Sequence, residues 1–351
     1  MALTTAHEWH EIPLDTPFTI SRGTREVSEN AVVRVEDGDG HEGIGGATPT
    51  EYYGETRASM DGVLPDLLDV VESVGDPHNA QRVERRLRAV AGGPRDHPAA
   101  RAAVSIAVHD LAAKRLGVPL YRQFGLDSAD APPTCHTVGL ASTEEMRERA
   151  VDLVDAGFER LKLKLGTSRD VEIVSTVRAA VPDATLHVDA NGAWGVAEAV
   201  EMTSVLADHD VAFVEQPVSA ADSETLAQVA AASPVPVAAD ESCLVAADVP
   251  EVAEVVDIVV VKLAKTGGVR PAIRAIHTAH AHGLDVMLGC MTESNASIAA
   301  GCHLAPLCDW ADLDGSLLLA DDPIDGVPTP GGRIELARRE RPGTAAQFAG
   351  E

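Results

Sequence analysis

Through the last two thirds of this 351-residue chain, short apolar stretches recur at a nearly constant interval. Strand candidates end at Gly139, Lys164, Asp189, Glu215, Asp240, Lys262, Leu288 and Leu313, and from Lys164 the next four spacings are 25, 26, 25 and 22 residues. An Ala-rich helical stretch follows each of the first seven. A strand–helix unit of this length cannot bury its strand alone. Eight such units closed on themselves can, as a parallel barrel. The alternative is a doubly wound open sheet, but none of the eight strand candidates is followed by a GxGxxG turn, and the count of eight favours the barrel.

The barrel is expected over residues 131–324. Upstream, the character differs. AVVRVEDGDGHEGIGGA alternates inward and outward residues around Asp37-Gly38-Asp39-Gly40, a hairpin signal. RASMDGVLPDLLDVVESV and PAARAAVSIAVHDLAAKRLG then place apolar residues at helical spacing. Residues 1–130 therefore read as a separate α+β domain. Beyond about residue 325 the period is lost among Pro328, Pro330 and Gly331-Gly332, so the segment 325–351 is expected to return to that first domain.

The ends of the strands carry the chemistry. In such a barrel the C-terminal strand ends face one cavity, so Lys162, Lys164, Asp189, Glu215, Asp240 and Lys262 should converge there. One Asp at a strand end is often only a helix cap. Three carboxylates on consecutive strands repel one another unless a cation lies between them, and their oxygens suit a hard ion, with Mg²⁺ the natural choice. Composition decides how much weight the lysines bear. Of 28 basic residues only five are lysine, namely Lys114, Lys162, Lys164, Lys262 and Lys265. Lys162 and Lys164 share a face of their strand, so each ammonium disfavours the other's charge and at least one pKa is expected to fall toward that of a base. Lys262 comes from the far side, so a substrate between them could lose a proton from one face and regain it on the other. The bland alternative is an ion-pair network packing the barrel. Lys265, just past the strand, reads as a neutralising partner for a carboxylate.

The ordered segments LKLKLG (161–166), HVDANGAW (187–194), FVEQP (213–217), ADES (239–242) and VVVKLAKTGG (259–268) resemble the enolase superfamily and, within it, the muconate-lactonising subgroup. The resemblance implies an enolase-like fold, in which an α+β capping domain closes over a modified (β/α)₇β barrel through loops near 18–25 and 50–54. It implies Mg²⁺ on Asp189, Glu215 and Asp240, an acid/base pair in Lys164 and Lys262, and Lys162 supporting charge on a substrate carboxylate. Asn191 and Glu241 look like residues that orient the metal carboxylates and lysines, with a plain turn as the alternative for Asn191.

The last strand separates the subgroups. DLDGSLLLADDP (312–323) sets Asp312 and Asp314 two apart, a site for a substrate cation, and is similar to the motif of dipeptide epimerases such as the L-Ala-D/L-Glu type. LGCMTESNAS (288–297) is similar to the same group. Arg22 and Arg25, on the expected capping loop, are candidates to pair with a substrate side-chain carboxylate. The expected activity is a Mg²⁺-dependent dipeptide epimerase, an isomerase inverting the C-terminal residue by 1,1-proton transfer through an enediolate. The alternatives are a cycloisomerase, or an o-succinylbenzoate synthase/N-acylamino acid racemase, of the same superfamily. Further off stand a Schiff-base aldolase using Lys262 and a non-catalytic barrel.

The formal charge of −27, with 55 acidic residues spread along the chain, sets aside nucleic-acid and anionic-membrane partners and resembles the composition of salt-adapted proteins. The substrate is expected to be a small molecule, and self-association into a homo-oligomer is left open. The longest apolar runs, such as IVVV from Ile258, are too short to span a bilayer. No basic start with an apolar stretch opens the sequence, and the five cysteines lack CxxC spacing. A soluble, cytoplasmic protein is the expectation. Self-repulsion at this charge is screened by salt, so the melting temperature is expected to rise between low and molar KCl; an unchanged value would contradict the electrostatic reading.

Overall fold

The computed structural model describes residues 2–338 and 341–350. The chain starts with an antiparallel sheet of three strands, β1 (Thr4–Ile20), β2 (Gly23–Glu36) and β3 (Glu42–Ala47), in sequential order. The β2–β3 turn falls at Asp37-Gly38-Asp39-Gly40. There the Asp37 carboxylate accepts the Asp39 and His41 amides at 2.9 and 3.0 Å, an Asx turn that closes the hairpin. The β1–β2 hairpin is long, and its tip at Ser21 and Arg22 reaches beyond the sheet.

Helices α1 (Arg57–Val74) and α3 (Pro98–Leu116) pack on this sheet, and α2 (Ala80–Ala91) packs on those two helices. Helix α3 is the joint of the molecule. Every residue from Pro98 to Ala113 is buried, so the helix has no solvent face before its last turn. Its run of alanines lets neighbours approach closely, and β3 meets it with glycines. A Cβ on Gly43 or Gly45 would lie 2.1 or 2.2 Å from the Ala107 or Ala103 carbonyl oxygen. The polar residues inside α3 are matched one by one. Arg101 donates to the Asp96 and Pro94 carbonyls, the Ser105 hydroxyl accepts the Val269 amide, and Asp110 accepts the amides of Ile44 and Thr344. Buried backbone and side-chain groups cost little only when paired in this way.

The second body is an eight-stranded parallel sheet in sequential order: β4 (His136–Val138), β5 (Arg160–Lys164), β6 (Thr185–Asp189), β7 (Val211–Glu215), β8 (Val237–Ala239), β9 (Ile258–Lys262), β10 (Asp285–Gly289) and β11 (Trp310–Asp312). Each strand ends within one residue of its sequence expectation. First and last strands meet through a parallel bridge between Thr134 and Ala311, with the Cys135 amide donating to the Ala311 carbonyl at 3.0 Å. The fold is thus an enolase-like α/β arrangement of capping domain and barrel. Register aligns the strand ends, because Lys164 pairs with Asp189 and Asp189 with Glu215. Below that level the interior is filled by His187 stacked on Phe213, Phe213 edge-on to Trp310, and Arg160 over Trp310.

After β11 the chain pairs β12 (Ile324–Asp325) with β13 (Gln347–Phe348), and Gly343 exchanges backbone hydrogen bonds with Val118 and Leu120. The segment so reaches the first domain, with Phe348 under Arg34. Of the returning stretch 325–351, residues 339, 340 and 351 lie outside the described residues. No helix among the described residues is long and apolar enough to cross a membrane.

Two buried histidines tie this packing to pH. His109 donates through Nδ1 to the Ser105 carbonyl at 2.7 Å, and His303 accepts the Tyr121 amide at 3.2 Å. Burial holds each ring's pKa down at about 4. The unfolded chain therefore binds protons that the folded one refuses between about pH 6.5 and 4, and stability falls as pH drops through that window. Urea denaturation is expected to show a loss on the order of 3 kcal/mol per histidine across it, and the His303→Gln variant is expected to show a shallower loss.

Candidate active site

The barrel mouth and the first domain's loops enclose a cavity of about 750 Å³. Its floor is made by Lys162, Lys164, Lys262, Asn191, Asp312 and Asp314, and its roof by the hairpin tip and the turn Glu51–Tyr53. The roof turn is anchored on α3, since the Glu55 carboxylate accepts the Ala99 and Ala100 amides at 2.7 and 3.2 Å. A carboxylate at a helix N-terminus satisfies amides that have no intrahelical acceptor.

The ionisable strand ends form one network. Lys162 is fully buried and its Nζ lies 2.7 Å from Glu215, 2.8 Å from Asp312 and 3.2 Å from Asp189. Lys164 Nζ meets Asp189 at 2.5 Å. Across the barrel, Asp240 is held between Lys262 and Lys265, each at 2.7 Å. Lys265 also donates to the Asp240 and Val260 carbonyls at 2.7 and 2.6 Å, which ties the loop after β8 to β9.

The fields in this network bear on one sequence expectation. A lysine pair should depress at least one of its pKa values, and that one is not Lys162, which is held well above the ordinary lysine value. Burial alone would lower it, but Asp312, Glu215 and Asp189 outweigh burial. Lys262 is raised in the same way, by Asp240, Tyr53 and Glu215 against burial. The carboxylates divide. Burial opposes ionisation of Asp189, but Lys164 and Lys162 bring it down to about 2. Glu215 goes the other way, to about 8, pushed by burial and by Asp189 and Asp240.

Glu215 bears on metal binding. Neither of its buried carboxylate oxygens accepts a well-formed hydrogen bond among the described residues. Among those residues no ready-made cluster of three metal-ligating side chains exists, because lysines supply the counter-charge to Asp189 and Asp240. The donor chemistry nonetheless fits a hard divalent cation. Three carboxylates stand at the ends of adjacent strands, and the middle one, which faces the Lys162 ammonium at 2.7 Å without a well-formed hydrogen bond, is pushed up by burial and by the charge of the outer two.

Asn191 and Glu241 follow the outer carboxylates. Asn191 adopts φ 48° and donates its amide and Nδ2 to Asp189 at 2.8 and 3.1 Å, so it is at once a turn residue and a holder of that carboxylate. Glu241 is paired with Arg22 at 2.7 Å. Arg25 also lines the cavity and makes no ion pair among the described residues. Of the pair at the eighth strand, Asp312 is lowered by Lys162 against burial, while Asp314 accepts the Thr137 amide at 2.6 Å and is raised by burial and by Asp312.

Sequence reasoning missed Gln216, whose Oε1 accepts the Asp240 and Ser242 amides, both at 3.1 Å, binding the loop after β7 to that after β8. Its position inside EQP was the available signal. Tyr52 was also missed; its ring lies under the Arg22 guanidinium.

Residues 3–125 match the family model for the mandelate racemase / muconate lactonizing enzyme N-terminal domain, and residues 145–349 match that for the enolase C-terminal domain-like fold. A hydrophobic dipeptide epimerase of Roseobacter litoralis is 37% identical over 334 residues, which is 93% of this chain and 94% of that protein. An L-Ala-D/L-Glu epimerase of Bacteroides thetaiotaomicron is 34% identical over 328 residues, 93% of this chain and 84% of that one. The crystal structure of a dipeptide epimerase from Enterococcus faecalis, complexed with Mg and L-Leu-L-Tyr, superposes with a TM-score of 0.92 at 32% identity, covering 99% of this chain and 100% of the other.

Lys265 makes its three contacts from within the barrel, at 1% side-chain exposure. Replacing it with Met strands part of the buried Asp240 charge and two carbonyls. The K265M variant is expected to lose about 3 kcal/mol in a urea titration, and a loss below about 1 kcal/mol would show that the contacts are incidental.

Proposed function

This chain belongs to the mandelate racemase / muconate lactonizing enzyme family of the enolase superfamily, and on that premise we propose that it is a Mg²⁺-dependent dipeptide epimerase, an isomerase that inverts the C-terminal residue of its substrate. One observation carries the reading. Lys164 on β5 and Lys262 on β9 stand four strands apart in an eight-stranded barrel, hence on opposite walls, and both line the cavity.

A proton α to a carboxylate is weakly acidic because its removal places a second negative charge on the same group. An ammonium already fixed where that charge develops stabilises the enediolate without reorganising. Lys162 occupies such a position, held by three carboxylates at the cavity floor. Mg²⁺ on Asp189, Glu215 and Asp240 would supply a double positive charge to the substrate carboxylate. One lysine of the Lys164/Lys262 pair, as the neutral amine, takes the proton from its face of the α-carbon; the other, as ammonium, returns a proton to the opposite face. Asp312 and Asp314, at the seam between β11 and β4, offer two carboxylates to the substrate's N-terminal ammonium. Arg25 faces the cavity from the roof, where the side chain of the inverted residue would lie. Asn191 keeps Asp189 oriented.

The domain limits follow the same logic: a capping domain over 1–130 joined by 325–351, and a catalytic barrel over 131–324. Five free cysteines, four of them buried, support a reducing, cytoplasmic setting, and the charge of −27 supports an acidic, salt-tolerant surface.

The test is a dipeptide library incubated with the enzyme and Mg²⁺ in D₂O. Inversion accompanied by deuterium at the C-terminal α-carbon is expected, with EDTA abolishing both and the K164A and K262A variants each losing inversion by about 10³-fold or more. Asp314→Asn, which leaves the Lys162–Asp312 pair in place and can still accept the Thr137 amide, is expected to weaken dipeptide turnover, whereas a cycloisomerase or N-acylamino acid racemase would tolerate it. Neither exchange nor inversion across the library would sink the assignment, and a lysine adduct trapped by borohydride would point to an aldolase.

A further inference from the structure

Arg22 sits at the tip of the β1–β2 hairpin and makes three contacts outside its own element. Its Nη1 donates to the Asn191 carbonyl at 3.0 Å and pairs with Glu241 Oε1 at 2.7 Å, and its guanidinium lies 4.6 Å from the centre of the Tyr52 ring. The neighbouring Ser21 hydroxyl donates to the Ala190 carbonyl at 3.3 Å. The tip is seated closely, because a Cβ on Gly166, in the loop after β5, would come within 2.8 Å of the Ser21 Cβ.

Asn191 lies two residues past Asp189, and Glu241 directly follows Asp240. One guanidinium from the capping domain therefore spans the loops after β6 and β8, on either side of the strand that carries Glu215. The Glu241 side chain is 1% exposed, and Arg22 is the cation paired with it. Without that cation a third buried carboxylate would repel Asp189 and Asp240 and push their loops apart.

We propose that Arg22 is a positioning residue that couples closure of the hairpin over the cavity to the spacing of the two outer carboxylates, so that divalent-cation binding and hairpin closure reinforce one another. The coupling rests on Asp189, Glu215 and Asp240 holding the cation; it does not depend on which substrate follows. Because coupling between two sites is reciprocal, each event must strengthen the other by the same factor.

Two measurements on the full-length chain without substrate test it: Mg²⁺ affinity by calorimetry, and hydrogen exchange over residues 18–25 with and without Mg²⁺, each for wild type, R22Q, R22K and E241Q. In the wild type Mg²⁺ is expected to slow exchange at the hairpin tip several-fold. R22Q is expected to bind Mg²⁺ roughly 5- to 100-fold more weakly and to lose that protection, with R22K recovering part of both and unchanged circular dichroism confirming the fold. Wild-type Mg²⁺ affinity in R22Q, or hairpin exchange in the wild type that ignores Mg²⁺, overturns the coupling alone. A wild-type chain that binds no Mg²⁺ overturns the metal assignment and the coupling with it.

Discussion

Charge balance inside the barrel mouth is the constraint on which the rest of the structure depends. Four ammonium groups, of Lys162, Lys164, Lys262 and Lys265, are interleaved with the carboxylates of Asp189, Glu215, Asp240 and Asp312, all of them buried. In a low-dielectric interior none of these charges is tolerable alone, and removing one strands its partner. The same balance bears on reactivity. Asp240 and Glu215 are among the groups that raise Lys262, so a dication held by those carboxylates would loosen their hold on its proton.

The architecture delivers this cluster by division of labour. Strand register brings the charges to one level, as the pairing of Lys164, Asp189 and Glu215 shows. The loops beyond the strands are then cross-tied: Gln216 joins the loops after β7 and β8, Lys265 joins the loop after β8 to β9, and Arg22 reaches in from the other domain. Two of the five non-glycine residues with positive φ among the described residues, Asn191 at φ 48° and Gln216 at φ 38°, fall at these crossings. Such conformations persist where surrounding contacts fix them, and here they turn each loop sharply enough for its side chain to serve its neighbour.

Much of this was legible because it is local. A strand that ends in an ionisable residue announces both its boundary and its contribution to the cavity, so the barrel strands could be placed within a residue. The scarcity of lysine made Lys162, Lys164 and Lys262 stand out from an acidic background in which any single Asp means little. What escaped is what depends on distance. The Arg22 to Glu241 contact joins positions more than two hundred residues apart, and nothing near either one signals it. The sign of the shift at Lys162 escaped for a related reason: spacing revealed the neighbouring ammonium of Lys164, but only the closed barrel shows three carboxylates gathered around one amine. Gln216 was hidden differently, since its role lies in two backbone amides that no side-chain pattern reports.

Helix α3 sets the order in which the molecule can be built. Its Asp110 takes amides from Ile44 at one end of the sequence and Thr344 at the other, and its remaining sides are covered by β3 and by the loop after β9. During synthesis the first domain leaves the ribosome long before Thr344 exists, so until then the buried carboxylate of α3 has the Lys114 ammonium at 2.7 Å and the Ile44 amide to hold it. The capping domain thus gains its last hydrogen bonds to α3 only after the whole barrel has been made. A nascent chain stalled short of Thr344 carries every residue of the charged cluster, yet lacks the contact through which the returning segment reaches α3 beneath the roof.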